Sequence, residues 1–178
     1  MNDKNSLRKY IKEIRKTLDI EQISSLIVSN IRSMQEYVEA NKVMIFYPLV
    51  NEIDLRDLLT DDKEFYLPRM SGKQLECCSY NKNDILEVAK FSVKEPTSDS
   101  VDKNLMDIIF VPALCVDNNC MRLGYGKGYY DRFLSDYKGL TIIPIPDELV
   151  YDDVCANSND VACKKVVTQK RVFNSKIE

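Results

Sequence analysis

"MRLGYGKGYYDRFL", residues 121–134, holds three of the chain's five glycines and interleaves them with Arg122, Lys127 and Arg132. On its N-terminal side runs DIIFVPA (107–113), an apolar stretch closed by a proline, and on its C-terminal side runs LTIIPI (140–145). Short apolar runs of this kind read as buried strands, and GYYDRFLSDY (128–137) between them reads as a helix. Strand, loop, helix, strand is a βαβ unit, so this stretch predicts an α/β fold with a parallel sheet. It also places flexible backbone at a helix start. Unpaired N–H groups and the helix dipole favour an anion there, and glycines let a phosphate approach the main chain. Lys127 and Arg122 add positive charge, the latter in a form that binds bidentately.

The stretch matches neither familiar phosphate loop. No Ser or Thr follows Lys127, as G-x-x-x-x-G-K-[ST] requires, and Tyr129, Tyr130 and Asp131 follow Gly128 where G-x-G-x-x-G would not place them. On spacing alone, a tight turn with solvated basic side chains explains it as well as a phosphate site does. Asp131, in the first turn of the helix, becomes a cation ligand only if a second carboxylate joins it. Otherwise it is ordinary compensation of the helix dipole.

Outward from this unit, KVMIFY (42–47), bounded by Asn41 and Pro48, predicts another buried strand, as do FYLP (65–68) and QLECCSY (74–80). KKVVT and KRVF predict two short strands near the end of the chain. Leu7, Ile11, Ile14 and Leu18 recur at helical spacing behind Asp3, which predicts an N-capped amphipathic helix over 4–18. Ile23, Leu26, Ile27, Ile31, Met34 and Val38 predict a second helix, and residues 53–59 a short one. Residues 81–106 are polar and show no clear period. No repeat or linker interrupts the 178 residues, so one domain, and by default a monomer, is expected.

Composition narrows the chemistry. The net charge of -3, with both signs spread along the chain, supplies no basic field for nucleic acid. No apolar run is long enough to span a membrane, and MNDKNSLRKYIKEIRK lacks the apolar core of a signal peptide, so a cytoplasmic protein is expected. Six cysteines form no C-x-x-C pair, and adjacent Cys77 and Cys78 should point to opposite faces of a strand. Buried thiols are expected rather than disulfides or zinc. The chain has no histidine, which excludes Ser–His and Cys–His nucleophiles and His-based metal sites. A metal here would be a hard ion on carboxylates and phosphate, Mg2+ first of all.

LGYGKGYYDRFL resembles the signature of the 5-formyltetrahydrofolate cyclo-ligase family, also called methenyltetrahydrofolate synthetase. The resemblance extends, in the family's order, through K-x-x-L-R (4–8), YPLVNE (47–52), LPRM (67–70), DIIFVPALCVD (107–117) and NDVACKKVVT (159–168). It implies a three-layer α/β/α domain with a largely parallel sheet, related to the sugar-isomerase and CoA-transferase group. It also implies ATP- and Mg2+-dependent conversion of 5-formyltetrahydrofolate to 5,10-methenyltetrahydrofolate, with ADP and phosphate released.

Carried over by position, the resemblance puts ATP on Lys4, Asn5, Ser6, Leu7 and Arg8 of the first helix. The nucleotide would also meet the loop of Arg122, Leu123, Gly124, Tyr125, Gly126, Lys127, Gly128, Tyr129 and Tyr130. Lys127 and Arg122 would stabilise the transferring phosphoryl group, and Asp131 and Asp160 would be the Mg2+ carboxylates. Tyr47 and Glu52 would contact the folate, with Gly124 through Gly128 lining the same side. Arg69 is a further candidate anion contact. Three positions depart from the family pattern: Asn159 stands where a His is common, Lys164 where an Asp is common, and Glu148 where a Gln is common. Two other readings stay open at this point. One is a module that binds nucleotide or folate without turnover; the other is a related phosphoryl transferase acting on a different amide or carboxylate.

Overall fold

The computed structural model describes residues 3–176. In chain order the elements are α1 (Lys4–Arg15), α2 (Ile20–Arg32), α3 (Gln35–Glu39), β1 (Lys42–Met44), β2 (Glu64–Ser71), β3 (Gln74–Ser79), β4 (Leu86–Val88), β5 (Lys94–Pro96) and β6 (Ser100–Val101). There follow β7 (Ile108–Phe110), β8 (Cys115–Asp117), β9 (Arg122–Leu123), α4 (Tyr129–Leu134), β10 (Leu140–Pro144), β11 (Val150–Tyr151), β12 (Lys165–Val167) and β13 (Val172–Asn174).

Eight strands form the central sheet in the order β13-β12-β10-β7-β1-β2-β3-β6. The run from β12 to β2 is parallel, and β13, β3 and β6 close the two edges in antiparallel pairings. The parallel strands alternate between two cores. Val43, Phe65, Ile108, Phe110, Ile142 and Val167 face α2 and α3. Met44, Tyr66, Ile109, Val111, Ile143 and Val166 face α1 and α4. A sheet buried on both faces needs apolar residues at successive positions, which is why its strands read as continuous apolar runs.

The βαβ unit is present, with β7 and β10 parallel neighbours, but it is more elaborate than its sequence predicts. Between β7 and the glycines lies the hairpin β8–β9, joined by β11 in a small three-stranded sheet. Its strands are too short for a period-2 pattern to register. The helix expected over 128–137 is confined to Tyr129–Leu134. The helix expected through Val38 ends at Arg32, because Met34 takes an extended conformation and redirects the chain into α3. Val38 is therefore exposed, while buried Tyr37 donates to Asp61 at 2.7 Å. The first helix also stops short of Leu18, at Arg15, with Asp3 as the expected N-cap accepting from the Asn5 and Ser6 amides. Residues 53–59 yield a 3-10 turn at Arg56–Thr60, and the unreadable region 81–106 holds the small β4–β5 ladder and β6.

Cysteine behaves as composition suggests. Cys77, Cys78, Cys115, Cys120 and Cys163 are buried free thiols, and burial pushes Cys77, Cys115 and Cys120 up to about 12, well out of the reactive range. Among the described residues no helix is long and apolar enough to cross a membrane.

Candidate functional site

The chain leaves β1 toward β2 on one side and returns through β7 to β10 and β12 on the other, so the strand order reverses between β1 and β7. At such a switch point the loops leaving neighbouring strands diverge and open a crevice beyond their carboxyl ends. Here the crevice is a cleft of about 1150 Å³. Tyr47, Leu49 and Glu52 from the segment after β1 line it, as do Pro112 after β7, Pro68 and Met70 of β2, and everything from Arg122 to Arg132. Lys4 and Arg8 of α1 enter from one end, and Asn157 to Val161 form another wall.

The glycine loop is fixed from both sides. Arg8 donates through Nε to the Gly124 carbonyl at 2.8 Å and through Nη1 to Asn5. Arg132 donates to the carbonyls of Lys127 and Lys73, and Tyr129 to that of Gly72, so the β2–β3 turn braces the loop. Gly126 has φ +93, and a Cβ there would lie 3.2 Å from Arg8 Cζ, so the backbone conformation and the packed guanidinium both demand glycine. Lys127 is exposed, its ammonium 5.6 Å from the ring centroid of Phe91, which stands on the β4–β5 turn at φ 61.

Asp131 and Asp160 both line the cleft. Asp160 Oδ2 accepts from Lys4 Nζ at 2.5 Å and from the Asn157 amide at 2.7 Å. Asp131 Oδ1 accepts from Arg122 Nη2 at 2.9 Å and from the amide of Val161, the residue after Asp160, at 3.2 Å. Burial raises the Asp160 carboxyl, but the bonds from Lys4 and Asn157 outweigh it and leave a net lowering, so Asp160 is ionised. Arg122 is almost fully buried, and its Nε has no hydrogen-bond partner among the described residues.

Glu52 is buried at 6% exposure. Its Oε1 accepts from Tyr125 Oη at 2.7 Å and its Oε2 from the Leu49 amide at 2.7 Å. Burial raises its pKa above the ordinary 4.5, against the opposing pull of those two bonds and of Arg15. The Tyr125 bond ties the segment after β1 to the glycine loop after β7, across the switch point. Tyr47 lines the same cleft, with its Oη accepting from Arg56 at 2.8 Å.

A family model described as the 5-formyltetrahydrofolate cyclo-ligase family matches residues 1–169. The chain belongs to the 5-formyltetrahydrofolate cyclo-ligase family. Among solved structures, the 5,10-methenyltetrahydrofolate synthetase of Aquifex aeolicus superposes with a TM-score of 0.86 at 30% identity, covering 98% of this chain and 94% of that one. The 5-formyltetrahydrofolate cyclo-ligase of Escherichia coli K12 is 25% identical over 92% of this chain and 98% of its own length. That of Mycolicibacterium smegmatis is 36% identical over a shorter span, 48% of this chain and 47% of that protein.

Not every residue that the family resemblance nominates reaches the cleft. Lys4 and Arg8 line it, but Leu7 is buried in the core, Ser6 donates to Asp3, and the Asn5 side chain is taken by Arg8. The Arg69 guanidinium is used within the β-structure, paired with Glu76 at 2.8 Å and donating to the Ser98 carbonyl. Of the three departures from the family pattern, Asn159 lines the cleft, whereas Lys164 and Glu148 do not; they bind the Lys138 carbonyl and Gln169. Sequence reading passed over Arg15 and Phe91. The first hides as one more charge in a charged helix, and the second sits in a stretch without period.

Among the described residues no group of three or more Cys, Asp or Glu side chains could cage a metal. The bonds above engage one oxygen of Asp131 and one of Asp160 and leave the other of each available. That donor set fits Mg2+, which binds through one or two carboxylates and takes its remaining ligands from phosphate and water.

Proposed function

We propose that this protein catalyses the ATP- and Mg2+-dependent cyclisation of 5-formyltetrahydrofolate to 5,10-methenyltetrahydrofolate, releasing ADP and phosphate. The observation that carries the reading is the Tyr125–Glu52 hydrogen bond, which joins the proposed phosphate loop and the proposed folate carboxylate in one cleft. The names of the relatives support the same reaction. Helices on both faces of the mostly parallel sheet support the expected kinship with the sugar-isomerase and CoA-transferase group.

A formyl group on N5 is an amide whose oxygen leaves poorly. Attack of that oxygen on the γ-phosphorus releases ADP and makes the oxygen a phosphate ester. N10 then adds to the formyl carbon, loses its proton, and phosphate departs to leave the methenyl bridge. Lys4 and Arg8 bind and orient the nucleotide, and Arg122 and Lys127 offset charge spreading over the transferring phosphoryl group. Asp131 and Asp160 would hold Mg2+, which supplies charge neutralisation on the phosphates when bound. Glu52 accepts from donor N–H groups of the pterin, and Tyr47 flanks it.

The test is absorbance at the methenyltetrahydrofolate band after mixing protein, 5-formyltetrahydrofolate, ATP and Mg2+, omitting each in turn. Product that requires all four supports the reading; no product under any condition overturns it.

Two substitutions probe the cleft. Gly126→Val should raise the KM for ATP about tenfold, because a side chain at φ +93 costs about 1–3 kcal/mol and displaces Arg8. An unchanged KM in a folded variant would detach Arg8 and the loop from the nucleotide. Glu52→Gln should raise the KM for 5-formyltetrahydrofolate while leaving that for ATP within about twofold, a split that steady-state kinetics reads directly. It should also change the pH profile. With the Glu52 carboxyl raised above 4.5, kcat/KM for the folate should climb with pH on a limb centred above that value, and Gln should remove the limb.

A further inference from the structure

Arg15 is a buried cation with no part in the chemistry above. It is 4% exposed, and its hydrogen bonds go to main-chain carbonyls rather than to a carboxylate. Nη1 donates to Asn51 at 2.6 Å, Nη2 to Ala113 at 2.5 Å and Leu114 at 3.1 Å, and Nε to Leu114 at 3.3 Å. Asn51 belongs to the segment after β1, and Ala113 and Leu114 to the segment after β7. One guanidinium therefore spans the switch point from inside, near enough to both Glu52 and Tyr125 to act on each.

The segment it holds needs holding. Asn51 sits at φ 63, in the left-handed region, and Val50 before it is 89% exposed, so packing does little to fix the turn at its tip. Glu52 follows directly. Among the described residues, the charged and titratable groups that act on Glu52 are Arg15 from α1, Tyr125 from the glycine loop and Tyr130 from α4, and Arg15 is the cation among them. A buried guanidinium serving only packing is replaceable by an apolar side chain at little loss. One whose donors fork across two loops is not.

We propose that Arg15 is a positioning residue for the folate half of the site: it ties the Asn51 carbonyl to Ala113 and Leu114 and so sets Glu52 against Tyr125. The inference rests on the cyclo-ligase reading. It predicts a selective effect, because the nucleotide end of α1 is fixed separately, Lys4 by Asp160 and Arg8 by Gly124.

Arg15→Lys keeps the charge but replaces the planar fork with a single ammonium. In a variant with a cooperative melt, the KM for 5-formyltetrahydrofolate should rise at least tenfold while the KM for ATP stays within twofold. Arg15→Met, which removes the charge as well, should lose more on the folate side. Both KM values rising together, or neither moving, would overturn the inference and leave the reaction standing, since the unsubstituted enzyme is the control. No product from the unsubstituted enzyme would overturn both. A measurement on the unsubstituted protein guards against variants that fail to fold. With arginine-selective 15N labelling, 5-formyltetrahydrofolate should slow hydrogen exchange at the Arg15 Nε–H, whereas ATP should not; no slowing with the folate would overturn the inference.

Discussion

Lys127→Ala is expected to lower kcat by about two orders of magnitude with the fold intact. A positioned donor to a charge that develops in the transition state is worth about 3 kcal/mol, and each 1.36 kcal/mol is about a tenfold change in rate. The side chain is placed for that role and for little else. It is exposed, it has no carboxylate partner among the described residues, and its one aromatic neighbour is the Phe91 ring at 5.6 Å. An exposed cation–π contact contributes only about 0.5 kcal/mol, so the melting temperature should barely move. Turnover at saturating substrates and a melting curve on the same sample decide it. Near-normal kcat would remove Lys127 from the phosphoryl step, and a large fall in melting temperature would reassign it to structure.

Asp131→Ala should damage stability and activity together. Arg122 lies buried behind Asp131, and its Nε has no partner among the described residues, so removing the carboxylate strands a guanidinium in the interior. Breaking a buried pair from one side costs about 3–5 kcal/mol, and the lower end applies because the Asp131 side chain is still 24% exposed. The Val161 amide loses its acceptor as well, so the wall carrying Asp160 loosens. Product formation should fall by at least about a hundredfold even below the lowered melting temperature, as expected when one of the two proposed carboxylates for the Mg2+ that offsets phosphate charge is lost, and excess Mg2+ should not restore it. Recovery at high Mg2+ would show that Asp160 suffices as the protein ligand. A stable variant would show that Arg122 relaxes onto another acceptor.

The parallel core was legible because it is buried on both faces: KVMIFY, DIIFVPA and LTIIPI carry apolar residues at successive positions, and all three became neighbours in the sheet. The glycine loop was legible because Gly126 and Gly128 do adopt positive φ. The β8–β9 hairpin escaped, since three- and two-residue strands offer too few positions for alternation to show. The early end of α2 escaped because helical spacing continues through Met34 and Val38, while burial of Met34 and the Tyr37 bond to Asp61 turn the chain regardless. At the site, Asp131 and Asp160 both line the cleft, linked through the Val161 amide. Arg15 was invisible because its partners are main-chain carbonyls, which leave no mark on side-chain identity.

Lys4, Arg8, Ile11 and Arg15 recur at steps of four, three and four along α1, so they share one face of the helix. At about 1.5 Å per residue, Lys4 and Arg15 stand about 16 Å apart along its axis. On the proposed reading the helix is a gauge, with a nucleotide mark at one end and a folate mark at the other. Changes at its exposed positions Lys9 and Glu13 would move neither end, but a change in its residue count would. One residue inserted between Arg8 and Arg15 would swing the far mark by about 100°, carrying the guanidinium away from both loops while leaving an equally good helix.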